Sequence, residues 1–230
     1  MAINLTGMKT YLIVLSVLLN IGLLFSFVRR KIYFATHKED PMGWIDHYNA
    51  QKVTTFKALP LDSTSTVFVG TSLTEGFPMS DLLPSYGIKN RGIAGNYTHH
   101  ILDRIEDIAK ARPKKMFLEM SINDINAKVP EDTIFTHYVK TMEVVAKHRV
   151  PLYVQSVFPT TGEYKESNPV VVSLNKRLKD YCDKHHTQYI DVYDALVKDG
   201  ELDSTLTYDG LHLNVTGYQV WKERVLPYLN

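Results

Sequence analysis

The chain has a single cysteine, Cys182, among 230 residues, which excludes an internal disulfide. It also lacks charge of either dominant sign: 26 Lys and Arg face 25 Asp and Glu, a formal net charge of +1. A surface that tracks nucleic acid needs a basic excess, so no nucleic-acid partner is expected. There is no internal repeat and no low-complexity segment. What remains is an ordinary globular composition, 44% hydrophobic and 22% charged, enough for one core-bearing domain.

One segment departs from that composition. Tyr11 to Val28 carries no charge and runs about 18 residues, roughly 27 Å as a helix, enough to span a bilayer core. It ends Phe27-Val28-Arg29, unlike the small-residue site of a cleaved signal. The expectation is an uncleaved membrane anchor over 1–31, a linker with a short helix over 32–62, and a globular domain over 63–230. Asp40-Pro41 opens the short helix, and Trp44, Ile45 and Tyr48 recur at helical spacing. Arg29, Arg30 and Lys31 favour a cytoplasmic domain, but Lys9 and the amino terminus offset them.

From Thr66 onward, apolar strands alternate with helical stretches. Strands are expected at Thr66–Val69, Ile88–Gly92, Lys115–Met120, Pro151–Val157 and Gln188–Val192. Helices are expected at about Thr98–Arg112, Glu131–His148, Val170–His186 and Asn214–Leu229. This alternation builds a parallel sheet covered on both faces.

Four stretches at strand ends carry chemistry. Val67-Phe68-Val69-Gly70-Thr71-Ser72 sets a serine on a sharp turn after a strand, where its hydroxyl is exposed and its own N–H can meet an anion. Gly70 is expected to supply backbone angles closed to other residues. Asn90-Arg91-Gly92-Ile93-Ala94-Gly95-Asn96 offers backbone N–H groups at close approach, although a plain turn capped by Thr98 has the same pattern. Ser121-Ile122-Asn123-Asp124 can aim the Asn123 amide at a developing negative charge, or simply close the strand with an Asx-turn. Asp209-Gly210-Leu211-His212 lets a carboxylate reach an imidazole three residues away. A nucleophile, oxyanion donors and an Asp–His pair together point to acyl transfer.

With these residues the chain resembles the SGNH hydrolases, also called the GDSL esterase/lipase family, from about Thr66 to the end. Asn90 to Gly95 and Asp209-Gly210-Leu211-His212-Leu213-Asn214 are similar to the platelet-activating-factor acetylhydrolase-like branch and to bacterial carbohydrate esterases. The resemblance implies Ser72 as nucleophile, His212 as base and Asp209 as its orienting carboxylate. It implies an oxyanion hole of the Ser72 N–H, the Gly95 N–H and the Asn123 side chain. It implies a three-layer α/β/α sandwich on a five-stranded parallel sheet, and no cofactor. Three positions depart from the family pattern: Thr71 for Asp, Asn96 for Asp, and Ser121 for Gly.

The function expected is a serine esterase that removes small acyl groups, acetyl above all, from a glycan or lipid ester outside the cytoplasmic membrane. An O-acetyltransferase or a non-catalytic glycan-binding module on the same fold are the alternatives. His99-His100 and His185-His186 are read as surface residues, and no metal is expected. Phe77 and Met79 belong either to an acyl pocket or to the core.

Overall fold

The computed structural model describes residues 43–230. The chain divides into two compact units, 1–44 and 45–230, and the second carries all of the sheet. In order its elements are α1 (Gly43–Ala58), β1 (Thr66–Gly70), the short helices α2 (Ser72–Glu75) and α3 (Met79–Leu82), β2 (Ile88–Gly92), α4 (Thr98–Lys110) and β3 (Lys115–Leu118). There follow α5 (Ile122–Asn126), α6 (Glu131–Lys147), β4 (Leu152–Gln155), α7 (Asn168–Lys184), β5 (Gln188–Ile190) and α8 (Tyr193–Leu196). A two-strand hairpin, β6 (Val197–Lys198) and β7 (Glu201–Leu202), precedes the last helix, α9 (Val215–Val225).

The five strands form one parallel sheet in the order β2-β1-β3-β4-β5. This is the flavodoxin-like order, so the three-layer reading with five parallel strands holds. Right-handed crossovers put α4, α6 and α7 on one face, where they pack against one another in sequence. The β1–β2 connection and α9 take the opposite face: Phe77 stacks on Trp221 at 4.6 Å between ring centroids. Between these layers Phe68, Phe117 and Tyr153 sit in register across β1, β3 and β4. Their rings stack at 4.4 and 4.8 Å. Val67, Val69, Met116 and Leu118 alternate with them, fully buried, toward the other face. β1 is an interior strand, between β2 and β3, and every residue in it is buried. Neighbouring strands leave it in opposite directions, which opens a crevice at its carboxyl end.

The expected membrane-spanning helix is corrected. Among the described residues no helix is long and apolar enough to cross a membrane, and residues 11–28 lie outside those described. The start of the short helix at Asp40-Pro41 lies outside them too, while α1 itself continues to Ala58. Elsewhere the differences are local. Pro169 sits in the first turn of α7, where its missing N–H costs nothing, so that helix starts at Asn168 rather than Val170. Pro227 converts the last turn of the chain to a 3-10 helix, Leu226–Tyr228.

Candidate active site

Ser72 is the first residue of α2, directly after β1. As the opening residue of a helix, its N–H has no partner within that helix. The turn before it is held from below by a buried carboxylate. Glu119 accepts from the Thr71 N–H (3.1 Å), the Thr71 hydroxyl (3.0 Å) and the Thr74 hydroxyl (2.9 Å). Burial pushes the Glu119 carboxyl up, against the pull of those hydrogen bonds. Gly70 is glycine here for space rather than for unusual angles, which corrects the sequence reading: a Cβ would fall 2.6 Å from Glu119 Oε2. Thr71, in the place of the family Asp, also caps α2, accepting from the Leu73 N–H at 3.3 Å.

Asp209 and His212 lie on the loop before α9, pinched by a bridge between Thr207 and Leu213. The Thr207 hydroxyl donates to the His212 carbonyl at 2.6 Å and accepts from the Gly210 N–H at 2.9 Å. Asp209 Oδ1 accepts the N–H groups of Leu211 (2.9 Å) and His212 (2.7 Å), which aims its other oxygen outward. That oxygen, Oδ2, lies 2.7 Å from His212 Nδ1. His212 Nε2 in turn lies 3.0 Å from Ser72 Oγ. Burial pushes the Asp209 carboxyl up, but the hydrogen bonds from His212 and Leu211 outweigh it and hold the group below the usual carboxylate range. An ionised Asp209 keeps the proton on Nδ1, so Nε2 presents its lone pair to the serine hydroxyl. Tyr208, largely exposed, lies nearly parallel to the His212 ring at 5.9 Å.

Gly95 follows β2 at φ +76°, in the left-handed region that glycine enters without penalty. Asn123 stands in α5, after β3, and its amide donates to the Asn96 carbonyl at 2.9 Å. Asn96 is fully buried; its side chain accepts from Arg104 Nε (3.1 Å) and donates to Asn49 Oδ1 of α1 (3.0 Å). Ser121, in place of the family glycine, adopts φ +97°, a position of backbone strain two residues before Asn123. The next residue on, Asp124, takes the N–H (2.9 Å) and hydroxyl (2.7 Å) of Thr98 and so ties the start of α4 to α5.

Several residues that hold the site were not singled out from the sequence. Arg104 is buried in α4 and donates to the carbonyls of Gly70 (3.2 Å) and Arg91 (2.9 Å) besides Asn96. It thus joins the carboxyl ends of β1 and β2. Burial, together with Arg91, lowers its pKa to about 9, which leaves it cationic at neutral pH. Glu75 accepts the Ala94 N–H at 2.6 Å and pairs with Tyr48 and Lys52 of α1. The available signal was a charged Glu119 at the end of the apolar run Met116 to Met120, since a buried charge requires partners. His100 is a correction: it is buried, bonded to the Tyr97 N–H (3.1 Å) and to Asp46 (3.1 Å). His185 and His186 are exposed, as read. Phe77 and Met79 belong to the core.

A parallel sheet of this order, with a serine, imidazole and carboxylate in one hydrogen-bonded line at its carboxyl edge, defines a hydrolase-type α/β site. Residues 68–220 match the GDSL-like Lipase/Acylhydrolase family, and the chain belongs to it. The chain thus carries a domain of a lipase and acylhydrolase family. Among curated proteins it is similar to N-acylneuraminate cytidylyltransferases. That of Escherichia coli O18:K1:H7 is 29% identical over 60% of this chain, and that of Streptococcus agalactiae serotype V is 24% identical over 64%. The chain spans about a third of the length of these relatives, 34% in each case. Among solved structures, a platelet activating factor protein from Streptococcus pneumonia is 23% identical with a TM-score of 0.76, over 85% of this chain and 99% of that one. The acetyl xylan esterase AlAXEase is 17% identical with a TM-score of 0.62, over 72% of this chain and all of its own. At these identities the two structures share the fold.

Proposed function

We propose that the chain is a serine esterase that removes small acyl groups, acetyl foremost, from an ester on a glycan or lipid. One observation carries the reading: the line from Ser72 Oγ to His212 Nε2 (3.0 Å) and from His212 Nδ1 to Asp209 Oδ2 (2.7 Å). In this mechanism His212 takes the Ser72 proton as the oxygen attacks the ester carbonyl. The C–O bond to the alcohol then breaks, and His212 hands the proton to the leaving oxygen. Water, deprotonated by the same imidazole, attacks the acyl-enzyme and releases the acid. Asp209 stabilises the imidazolium formed in each half. The Ser72 N–H, the Gly95 N–H and the Asn123 amide donate to the oxyanion of both tetrahedral intermediates.

The small acyl group is supported by the resemblance to acetylhydrolases and carbohydrate esterases. It is supported further by the acetyl esterase among the structural neighbours and by relatives named for an acylated sugar acid. The exposed Tyr208 beside His212 offers a flat face on which a sugar ring can rest. Work on exported esters, outside the cytoplasm, is part of the same proposal. Its test is protease added to intact cells, and protection of the domain until lysis would contradict it.

The test of the chemistry is Ser72→Ala. Hydrolysis of a chromogenic acetyl ester should fall on the order of 10⁴-fold or more in a variant that melts like the parent. Substantial activity in that folded variant would remove Ser72 from the mechanism. Product analysis with a sugar acceptor present separates hydrolysis from transfer.

A further inference from the structure

Helix α1 precedes the family-matched residues 68–220 altogether, yet it touches the loop on which the oxyanion donors depend. Three consecutive residues of that loop are held by it, the first of them through Glu75 of α2. The Ala94 N–H donates to Glu75 Oε2 at 2.6 Å, and Glu75 Oε1 receives the Tyr48 hydroxyl at 2.7 Å and the Lys52 ammonium at 2.5 Å. At Gly95, Ile45 Cγ1 lies 3.1 Å from where a Cβ would stand, so α1 packs directly on the loop there. Asn96 donates to Asn49 Oδ1 at 3.0 Å, and its carbonyl takes the Asn123 amide at 2.9 Å. The Asn49 contact therefore reaches Asn123 through one residue.

We propose that α1 is a working part of the active site: through Asn49 on Asn96, and Tyr48 and Lys52 on Glu75, it sets the position of the Gly95 N–H and the Asn123 amide as oxyanion donors. This deepens the esterase reading and rests on it. Asn49 and Glu75 are positioning residues, because they act through the loop rather than on substrate. The geometry is specific in a way that mere packing is not. Asn96 is fully buried; Arg104, which can only donate, fixes its side-chain oxygen, and the Asn49 oxygen takes the amide nitrogen that this turns toward α1. Glu75 is partly buried, which pushes its carboxyl up. The bonds from Lys52, Tyr48 and the Ala94 N–H outweigh this and keep it an anion. Its hydrogen bond to Tyr48 raises that phenol to about 12, so the hydroxyl stays a donor. Charge-assisted bonds of this kind are stronger than neutral ones and hold a peptide group in one orientation.

The experiment compares wild type, Asn49→Leu, Asn49→Asp and Glu75→Gln in the full chain. The first removes the acceptor for Asn96, and the second keeps an oxygen there. In Asn49→Leu and Glu75→Gln, kcat on a chromogenic acetyl ester should fall on the order of tenfold, a fraction of what loss of a whole oxyanion donor costs. KM should stay within about twofold, since the lost interaction belongs to the transition state. Asn49→Asp should recover most of the rate. Amide hydrogen exchange should quicken at residues 93–97 in Asn49→Leu and stay unchanged in the sheet. An unchanged kcat in folded Asn49→Leu and Glu75→Gln overturns the proposal, as does Asn49→Asp behaving like Asn49→Leu. If wild type neither turns over the ester nor reacts with a serine-directed phosphonate, the esterase reading fails on its own. Exchange then decides for α1: faster exchange confined to 93–97 upholds its hold on the loop, and no change there overturns it.

Discussion

Glu119 makes a demanding test of how the turn that carries Ser72 is built. Its Oε2 alone accepts from the Thr71 N–H, the Thr71 hydroxyl and the Thr74 hydroxyl, while Oε1 has only a 3.2 Å share of the Thr71 hydroxyl. Glu119→Gln can therefore put its one carbonyl oxygen where Oε2 stands and lose little. Glu119→Ala leaves three donors without their acceptor and opens a void under Ser72. Each buried donor left without its acceptor costs about 1–3 kcal/mol, offset in part by no longer burying a carboxyl, so a net loss of about 3 kcal/mol or more is expected. For a domain of this size that lowers the melting temperature by about 6–12 °C. The Ala variant should also lose turnover, because the turn carrying Ser72 relaxes. The pH dependence carries a sign. Burial sets the folded pKa of Glu119 above its ordinary value of 4.5, so the fold holds the proton more tightly than the unfolded chain does. That share of stability is complete below about 4.5 and is lost as pH rises through the folded pKa. Glu119→Gln does not suffer this loss, so its melting temperature should gain on wild type as pH rises from about 4.5. The measurements are thermal melts across pH and acetyl-ester kinetics on both variants. If Glu119→Gln proves as damaging as Glu119→Ala at neutral pH, the negative charge and not the acceptor geometry holds the turn, and the reasoning is refuted.

Three further outcomes are expected. Asn123→Ala should lower kcat by roughly 10² to 10³ with little change in KM; a rise in KM alone would make Asn123 a substrate-binding residue. Trp221→Phe removes the 2.6 Å bond from the indole N–H to Gln155, whose amide nitrogen already lacks a partner among the described residues. It should cost about 1–3 kcal/mol in a denaturant melt and leave kcat unaltered, since the pair is internal to the core. Burial pushes the Cys182 thiol up to about 12, so a thiol reagent should label it only as fast as the domain opens; rapid labelling under native conditions would show that α7 does not shield it.

Much of the fold was legible because it rests on local pattern. Val67 to Val69 and Met116 to Leu118 are continuous apolar runs, which is how a strand buried on both faces reads. All five strands and the four long helices after β1 fall where alternation puts them, with ends displaced by Pro169 and Pro227. Ser72, Gly95, Asn123, Asp209 and His212 were legible too, because each follows a strand or precedes a helix at the same sheet edge. The carboxylate and imidazole of Asp209 and His212 are only three residues apart, so their pairing needs little beyond a tight loop.

The partners of those residues belong to another order of information. Glu119 is 48 positions from Thr71, Asn96 is 47 from Asn49, and Ser72 is 140 from His212. No periodicity records such pairs, because they arise where separate crossovers end at one edge. Gly70 shows the same division: a turn glycine was evident, but only the carboxylate beneath it shows that the missing Cβ makes room. His100, read as a surface residue because adjacent helical histidines diverge and no ligand cluster accompanies them, is buried, with Asp46 of α1 bonded to it. The sequence by itself determined the strands, their helices and the groups able to do chemistry, since these depend on residue type and spacing. Tertiary structure alone decided which buried carboxyl lies under the Ser72 turn and which helix packs on residues 94–96, since those depend on where the chain returns.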